Sequence, residues 1–436
     1  MSSHKLPPEQ SRAGVVVEAD PPRRTSLAPR RRKAARNPHL QTLEALRLGV
    51  VPRQEPEQLT VARESELELI AQDLREAPEQ GAARVFLGDY GTGKTHLLEL
   101  LEHQALGQGF LVSRVVLDEE EVPPSHPQRV YRALCRGLRY PDASAQGLEL
   151  LLDKADVPAR FFKQGNPLYH HYLSPVLQYW RALDPEDGLR EELQEWIEGQ
   201  PSQSSLVLEA RLRQRTRVRG QRLFALKDYR PWAHIYGYLV GGLAWLAQRS
   251  GYKGLVVLFD EAEFYALLSS TGKEFADLVF GYYATAALGA QRSRFRLDAA
   301  KRGGQAVHRS FPPLYQPQQP LYCAFALTED PWGVGTLRNL VGEERLHRLT
   351  PLKLKDYQAL CLKVVDLYRA TYAECKVGSE VQNPMGQVVY RGVERGVLGN
   401  PRQVLKFVME MLDFSRLRRP EVGEFVAEVM ELLRSS

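Results

Sequence analysis

The side chains best suited to chemistry stand in one run, Gly88-Asp89-Tyr90-Gly91-Thr92-Gly93-Lys94-Thr95-His96. Its spacing is G-x-x-x-x-G-K-[ST], the pattern of a loop that cradles phosphate. In such a loop successive backbone N–H groups point inward, and the following helix offers its N-terminus to the same anion. The glycines let the backbone come close to the phosphates. Lys94 would bring a positive charge to the β- and γ-phosphates, and the Thr95 hydroxyl would ligate Mg²⁺. The expected nucleotide-binding segment is therefore Gly88, Tyr90, Gly91, Thr92, Gly93, Lys94, Thr95 and His96, with Lys94 also counted as catalytic.

A second chemical run is Gly254-Leu255-Val256-Val257-Leu258-Phe259-Asp260-Glu261-Ala262-Glu263. A continuous apolar stretch suits a strand buried on both faces of a parallel sheet. It ends in carboxylates, at the edge where open α/β sheets bind ligands. Asp260 would hold Mg²⁺ opposite Thr95. Glu261 would take a proton from, or orient, a water attacking the γ-phosphate. Glu263 reads as a structural or supporting carboxylate. A third buried strand, residues 321–327, ends at the hydroxyl of Thr328.

Other candidates carry less. Cys135, Cys323, Cys361 and Cys375 are far apart and fit neither a zinc spacing nor a disulfide framework. His170-His171 has no second ligand cluster and reads as core or surface. Arg211, Arg213, Arg215, Arg217 and Arg219 would share one face if extended, which suits phosphate contact; Arg222 follows. The preferred reading is a solvated helix carrying salt bridges. Residues 291–310 hold six basic side chains against Asp298, with Gly303-Gly304 between them. They read as a mobile basic loop, either a nucleic-acid contact or plain surface.

The elements that must position these groups follow from the pattern. A strand at 84–87, the loop, a helix at 94–106 and a strand at 110–117 form a βαβ unit, which implies a parallel sheet. A short helix is expected over 40–48, and another from about Arg63. Residues 1–37 hold nine Lys or Arg against three acids, leaving 49 basic and 50 acidic residues beyond them. They are read as a disordered basic tail, so the overall charge of +5 says little about the globular part. Residues 38–119 and 251–351 would form the sheet domain, 120–250 a helical insertion, and 352–436 a helical layer ending in a helix at 421–433. No run of 18 apolar residues and no secretory signal is found, so no membrane span is expected and the cytoplasm is the expected compartment.

Together these motifs resemble the AAA+ ATPases of the origin-recognition initiator and STAND neighbourhood. More closely, they are similar to BREX-type ATP-binding proteins of the BrxC/BrxD group, on its BrxD side. The resembling pieces are residues 43–53, Val61-Ala62-Arg63-Glu64-Ser65-Glu66-Leu67, 88–95, 109–115 and Leu258-Phe259-Asp260-Glu261. The resemblance implies an α/β fold with an AAA+ P-loop core and a C-terminal helical lid. It makes Thr328 the counterpart of sensor 1 and Arg402, in Gly399-Asn400-Pro401-Arg402, that of sensor 2. Residues 61–67 correspond to a box that contacts adenine, where the family usually has glycine in place of Ala62. An arginine finger would come from a neighbouring subunit of a homo-oligomer, with Arg338 and Arg345 both in place for it. Phage defence, DNA and a helicase partner are implied by the resemblance alone.

The expected activity is hydrolysis of ATP·Mg²⁺. The alternatives are a STAND-like switch that turns over rarely, a DNA-binding loader that uses ATP for assembly, and a small-molecule kinase. The Asp-Glu pair and the lid argue against the kinase.

Overall fold

The structure is a computed structural model that describes residues 38–417 except 54, 201–202, 301, 304–305, 330 and 374–377. The basic tail, Cys375 and the helix expected over 421–433 lie outside the described residues. The chain opens with α1 (Pro38–Arg47) and α2 (Glu64–Gln80), then β1 (Ala82–Leu87), α3 (Lys94–Gly107) and β2 (Leu111–Val116). There follow α4 (Pro127–Arg136), β3 (Leu138–Arg139), α5 (Glu149–Lys154), α6 (Leu173–Ala182), α7 (Gly188–Ile197), α8 (Ser205–Thr216) and α9 (Ala233–Arg249). β4 (Leu255–Asp260), α10 (Ser270–Leu288), α11 (Ala306–Arg309), β5 (Leu321–Leu327), α12 (Pro331–Val341) and β6 (Leu346–Arg348) come next. The described chain closes with α13 (Leu354–Thr371), α14 (Ser379–Glu394) and α15 (Pro401–Leu417).

One sheet has the order β3-β2-β4-β5-β1-β6. The expectation of a wholly parallel sheet needs correction, because β3 runs antiparallel to β2 on the edge. Two residues make no hydrophobic period, so nothing in the sequence marked this strand. The other pairings are parallel. β1 and β2 flank the phosphate-type loop and its helix but are not neighbours, since β4 and β5 lie between them. The register Leu87↔Leu327 and Val116↔Asp260 brings the C-terminal ends of β1, β4 and β5 to one edge.

Alternate strand residues feed two cores, as period-2 geometry requires. Val85, Leu87, Val257, Phe259, Cys323 and Phe325 face a large cluster that includes α4, α6, α7, α9 and α10. Phe86, Val256, Leu258, Tyr322 and Ala324 face α2 and α3. The result is an α/β fold with helices on both faces. The helices of 120–250 share the first of these cores with the strands rather than building one of their own.

A third core joins α13, α14 and α15 to α1. Leu43 and Leu46 of α1 are buried there, each worth roughly 1.5–3 kcal/mol on area grounds. Arg47 adds an ion pair to Asp413 at 2.6 Å. The N-terminal helix therefore packs with the C-terminal helices, although more than 300 residues separate Arg47 from Asp413. Among the described residues no helix is long and apolar enough to cross a membrane.

Candidate functional site

The loop after β1 owes its shape to glycine at two points. Gly91 has φ +81°, and a Cβ there would lie 2.6 Å from the side-chain amide carbon of Asn400. A Cβ on Gly88 would lie 2.6 Å from the Thr92 hydroxyl, which donates to Asp89 O at 2.8 Å. The loop thus closes on itself and against the start of α15. The buried Lys94 ammonium uses all three protons, on Gly88 O at 2.8 Å, Asp89 O at 3.2 Å and Thr328 Oγ1 at 3.0 Å.

Thr328, just past β5, passes the chain of hydrogen bonds onward. Its hydroxyl accepts from Lys94 and donates to Glu263 Oε1 at 2.6 Å. Glu263, read from sequence as a supporting carboxylate, is thereby tied to the loop lysine. Glu261 sits in the left-handed region at φ +57°, an uncommon conformation for a residue with a Cβ. Burial, then the charges of Glu263 and Asp260, push its carboxyl up to about 7. Asp260 is buried; its Oδ2 accepts from Arg114 at 2.6 Å and its Oδ1 from the Glu261 N–H at 3.1 Å. Arg114 also pairs with Glu99 of α3.

Lys94, Thr95, His96, Asp260, Glu261 and Glu263 line the polar end of one cleft of ≈ 280 Å³. Its other end is apolar, with Leu46, Val51, Leu59, Val61, Leu352 and Leu405 among its walls. Such a cleft matches a molecule with a polyanionic end and a flat, weakly polar end. His96 is held at a pKa of about 4, chiefly by burial and then by Arg63, so it is neutral at pH 7. The Thr60 hydroxyl donates to Pro56 O at 2.9 Å, which leaves it accepting from His96 Nε2 at 3.0 Å.

Arg63 bridges the cleft's parts. It donates to Thr92 O at 2.8 Å and to Thr350 O at 2.8 Å, and approaches Glu66 at 3.5 Å. The preceding Ala62 has φ +50°. That is a physical reason for glycine to be usual there in the resembling family, since a Cβ is disfavoured at such angles. Arg402 closes the far wall. Its Nε donates to Gly49 O and its Nη1 to Tyr90 Oη, both at 2.6 Å. It thus ties α15 to the exposed Tyr90 at the loop's tip and to the segment after α1.

The structure therefore brings Tyr90, Gly91, Thr92, Gly93, Lys94, Thr95, His96, Asp260, Glu261 and Arg402 around one cleft, with Gly88 and Thr328 joined to it through Lys94. Arg338 and Arg345 lie apart from it among their own acids, Glu343 and Glu344. Arg114 and Asn400 were missed as site-supporting residues, and Arg63 entered only as part of the box that the resemblance implies. An arginine inside the apolar strand 111–116 was a readable signal for Arg114. Asn400 and the partners of Arg63 left no signal, because their contacts are distant in the chain. Arg211, Arg213 and Arg215 pair with Glu192, Glu209 and Asp187, as the preferred salt-bridge reading had it. His170 is buried with Tyr238 and Tyr315, and its Nδ1 accepts from two backbone N–H groups.

Among the described residues no group of three His, Cys, Asp or Glu is arranged as a metal cage. Mg²⁺ beside a triphosphate needs only one or two protein oxygens, the rest coming from phosphate and water. The hydroxyl of Thr95 and the carboxylate of Asp260 line the same polar end and are hard oxygen donors. Burial and then the charges of Glu263 and Asp260 raise Glu261, and that local negative charge is what a divalent cation would offset. The residues present therefore fit the ion.

No curated protein matches the chain. Residues 35–157, which carry α1, the loop with Lys94, α3 and β2, are similar to the family model of the BREX system ATP-binding protein BrxC/D.

Proposed function

We propose that this protein hydrolyses ATP and uses the cycle as an AAA+-like switch in BREX phage defence, on the BrxD side of the group. The observation that carries the reading is the convergence of Lys94, Asp260 and Glu261 on the polar end of a half-apolar cleft, with Thr328 from a third strand end hydrogen-bonded to Lys94 behind it. The adenine would lie among the apolar walls and the phosphates on the loop. Mg²⁺, held by Thr95 and Asp260, would supply charge compensation at the β- and γ-phosphates. Lys94 would leave Gly88 O and Asp89 O for phosphate oxygens. Glu261 would take a proton from the attacking water as the bond between the γ-phosphorus and the β-bridging oxygen breaks, giving ADP and phosphate. Thr328 and Arg402 would report the γ-phosphate to the helical layer. In this reading the protein acts in the cytoplasm as a homo-oligomer, with DNA and a helicase as partners.

Steady-state phosphate release by the full chain tests the reading. Lys94→Ala and Glu261→Gln should each lower kcat about 100-fold or more, with nucleotide binding kept in Glu261→Gln. Parent-like rates in both variants would sink it. A rarely turning STAND-like switch, or a loader that needs binding alone, is favoured by one observation: Arg402 is engaged with Tyr90 and Gly49 rather than free. Nucleotide retained through purification with very slow release of phosphate would select that second reading.

A further inference from the structure

Residues 219–232 and the described residues among 302–311 meet on one surface. The Gly303 N–H donates to Pro231 O at 3.3 Å, and its backbone lies against Pro231 and Tyr229. His308 stacks on Trp232 at 4.3 Å, and Tyr229 packs edge-on to the same Trp232 at 5.7 Å. On the other side Phe311 packs on Phe224 at 4.9 Å, over which the Arg222 guanidinium stands at 5.1 Å. Arg222 and Lys227 lie near His308, and Arg302 lies near His234, whose Nε2 donates to His308 O at 2.9 Å. Arg222 and Lys227 are exposed, and Tyr229 is 44% exposed.

Asp228, between Lys227 and Tyr229, pairs with Arg129 and His126, and among the described residues the cations of this patch are left without a carboxylate of their own. Among the described residues none of Arg222, Lys227 and Arg302 forms an ion pair with a carboxylate. Arg211, Arg213 and Arg215, only a few residues away in sequence, each have one. Burial and then Lys227 and Arg222 press the His308 pKa down, and Arg302 adds to the same pressure on His234. Both ring nitrogens of His308 are buried without a partner among the described residues. A surface that gathers like charges at this cost gains most from a polyanion.

We infer that Arg222, Lys227 and Arg302, with Tyr229 and backed by the buried ring of His308, form a contact surface for a single nucleic-acid strand. The cations take backbone phosphates and Tyr229 offers a face on which a base stacks. The exposed aromatic among the cations is what favours a single strand over an acidic protein segment. The inference rests on the DNA-linked part of the proposed function and is independent of ATP hydrolysis. The two segments also lead directly into the site: 219–232 runs through α9 into β4 and Asp260, and 306–311 runs into β5 and Thr328.

The test is fluorescence anisotropy of the full chain with a labelled 30-nucleotide single strand across a salt series. The triple variant Arg222→Ser, Lys227→Ser, Arg302→Ser should bind at least 10-fold more weakly. Its salt slope should fall by about 2, as expected for three lost phosphate contacts on a single strand. Tyr229→Ser should weaken binding about 10-fold with little change in slope. The control Arg211→Ser, Arg215→Ser, which removes cations already paired with acids, should bind as the parent does. Binding of an ATP analogue by each variant reports an intact fold and an intact first reading. The inference is overturned if the triple variant binds DNA like the parent, if the control loses as much, or if polyglutamate competes as well as DNA. No DNA binding by a parent that hydrolyses ATP would overturn it while leaving the hydrolytic reading in place.

Discussion

The two walls of the cleft are built differently. The sheet wall is a set of strand ends whose polar groups are tied to one another: Lys94 to Thr328, Thr328 to Glu263, and Asp260 to Arg114. Its register is held by two buried faces. The helical wall has a core of its own, shared by α1 and α13–α15. It meets the loop after β1 through Asn400 against Gly91 and Arg402 on Tyr90. One wall is suited to hold charge in fixed places, as catalysis by preorganised groups requires. The other is suited to move as a body, because breaking a few polar contacts costs far less than breaching a core.

Three substitutions probe that contrast, in falling order of effect. Gly91→Ala strikes the seam between the walls. Ala at φ +81° costs about 1–2 kcal/mol, and its Cβ displaces Asn400. Nucleotide affinity, read by titration calorimetry, should fall about 10-fold or more. Unchanged affinity would mean that the walls do not need to meet there.

Glu261→Gln perturbs the sheet wall alone and shows in the pH dependence of stability. The carboxyl sits at about 7 in the folded, nucleotide-free protein against an ordinary 4.5. Its uncharged form is thus the one the fold prefers. The stability it contributes is complete below about 4.5 and is lost as pH rises through about 7. Glutamine stays neutral, so the melting temperature of Glu261→Gln should gain on the parent between pH 5 and pH 8. A constant difference across that range would refute a carboxyl raised by burial and its acidic neighbours.

Ala62→Gly sharpens the description of the strap that joins the walls through Arg63. Relief of the left-handed strain is partly offset by the greater freedom of glycine in the unfolded chain, leaving up to about 1 kcal/mol. The melting temperature should rise by about 2 °C, with ATP binding intact. A fall would show that the Ala62 side chain makes a contact worth more than the strain.

The legible parts of the fold were those with a local cause. The loop from Gly88 to Thr95 combines glycine, lysine and threonine within eight positions, and β1, β4 and β5 are unbroken apolar runs. Their boundaries came out within a few residues of the structure. The edge strand at 138–139 was too short to show a period. The helices of 120–250 were legible as helices but not as part of the sheet's own core, since an apolar helix face does not say what covers it. The arginine series from 211 looked evenly basic, and only the fold decided which of its members found acids.

The amino-acid order alone specified a phosphate-type loop between a strand and a helix, a carboxylate-tipped buried strand, and a polar residue ending a third. Those features arise from neighbouring residues, so local sterics and hydrogen bonding suffice for them. Tertiary structure decided the rest. It set β4 and β5 between β1 and β2, so that Lys94 meets Thr328 across 234 positions. It docked α1 on the C-terminal helices and tied Arg63 to both Thr92 and Thr350. Such pairings are chosen by which faces bury together and which buried polar groups find partners, and these are properties of the packed chain as a whole.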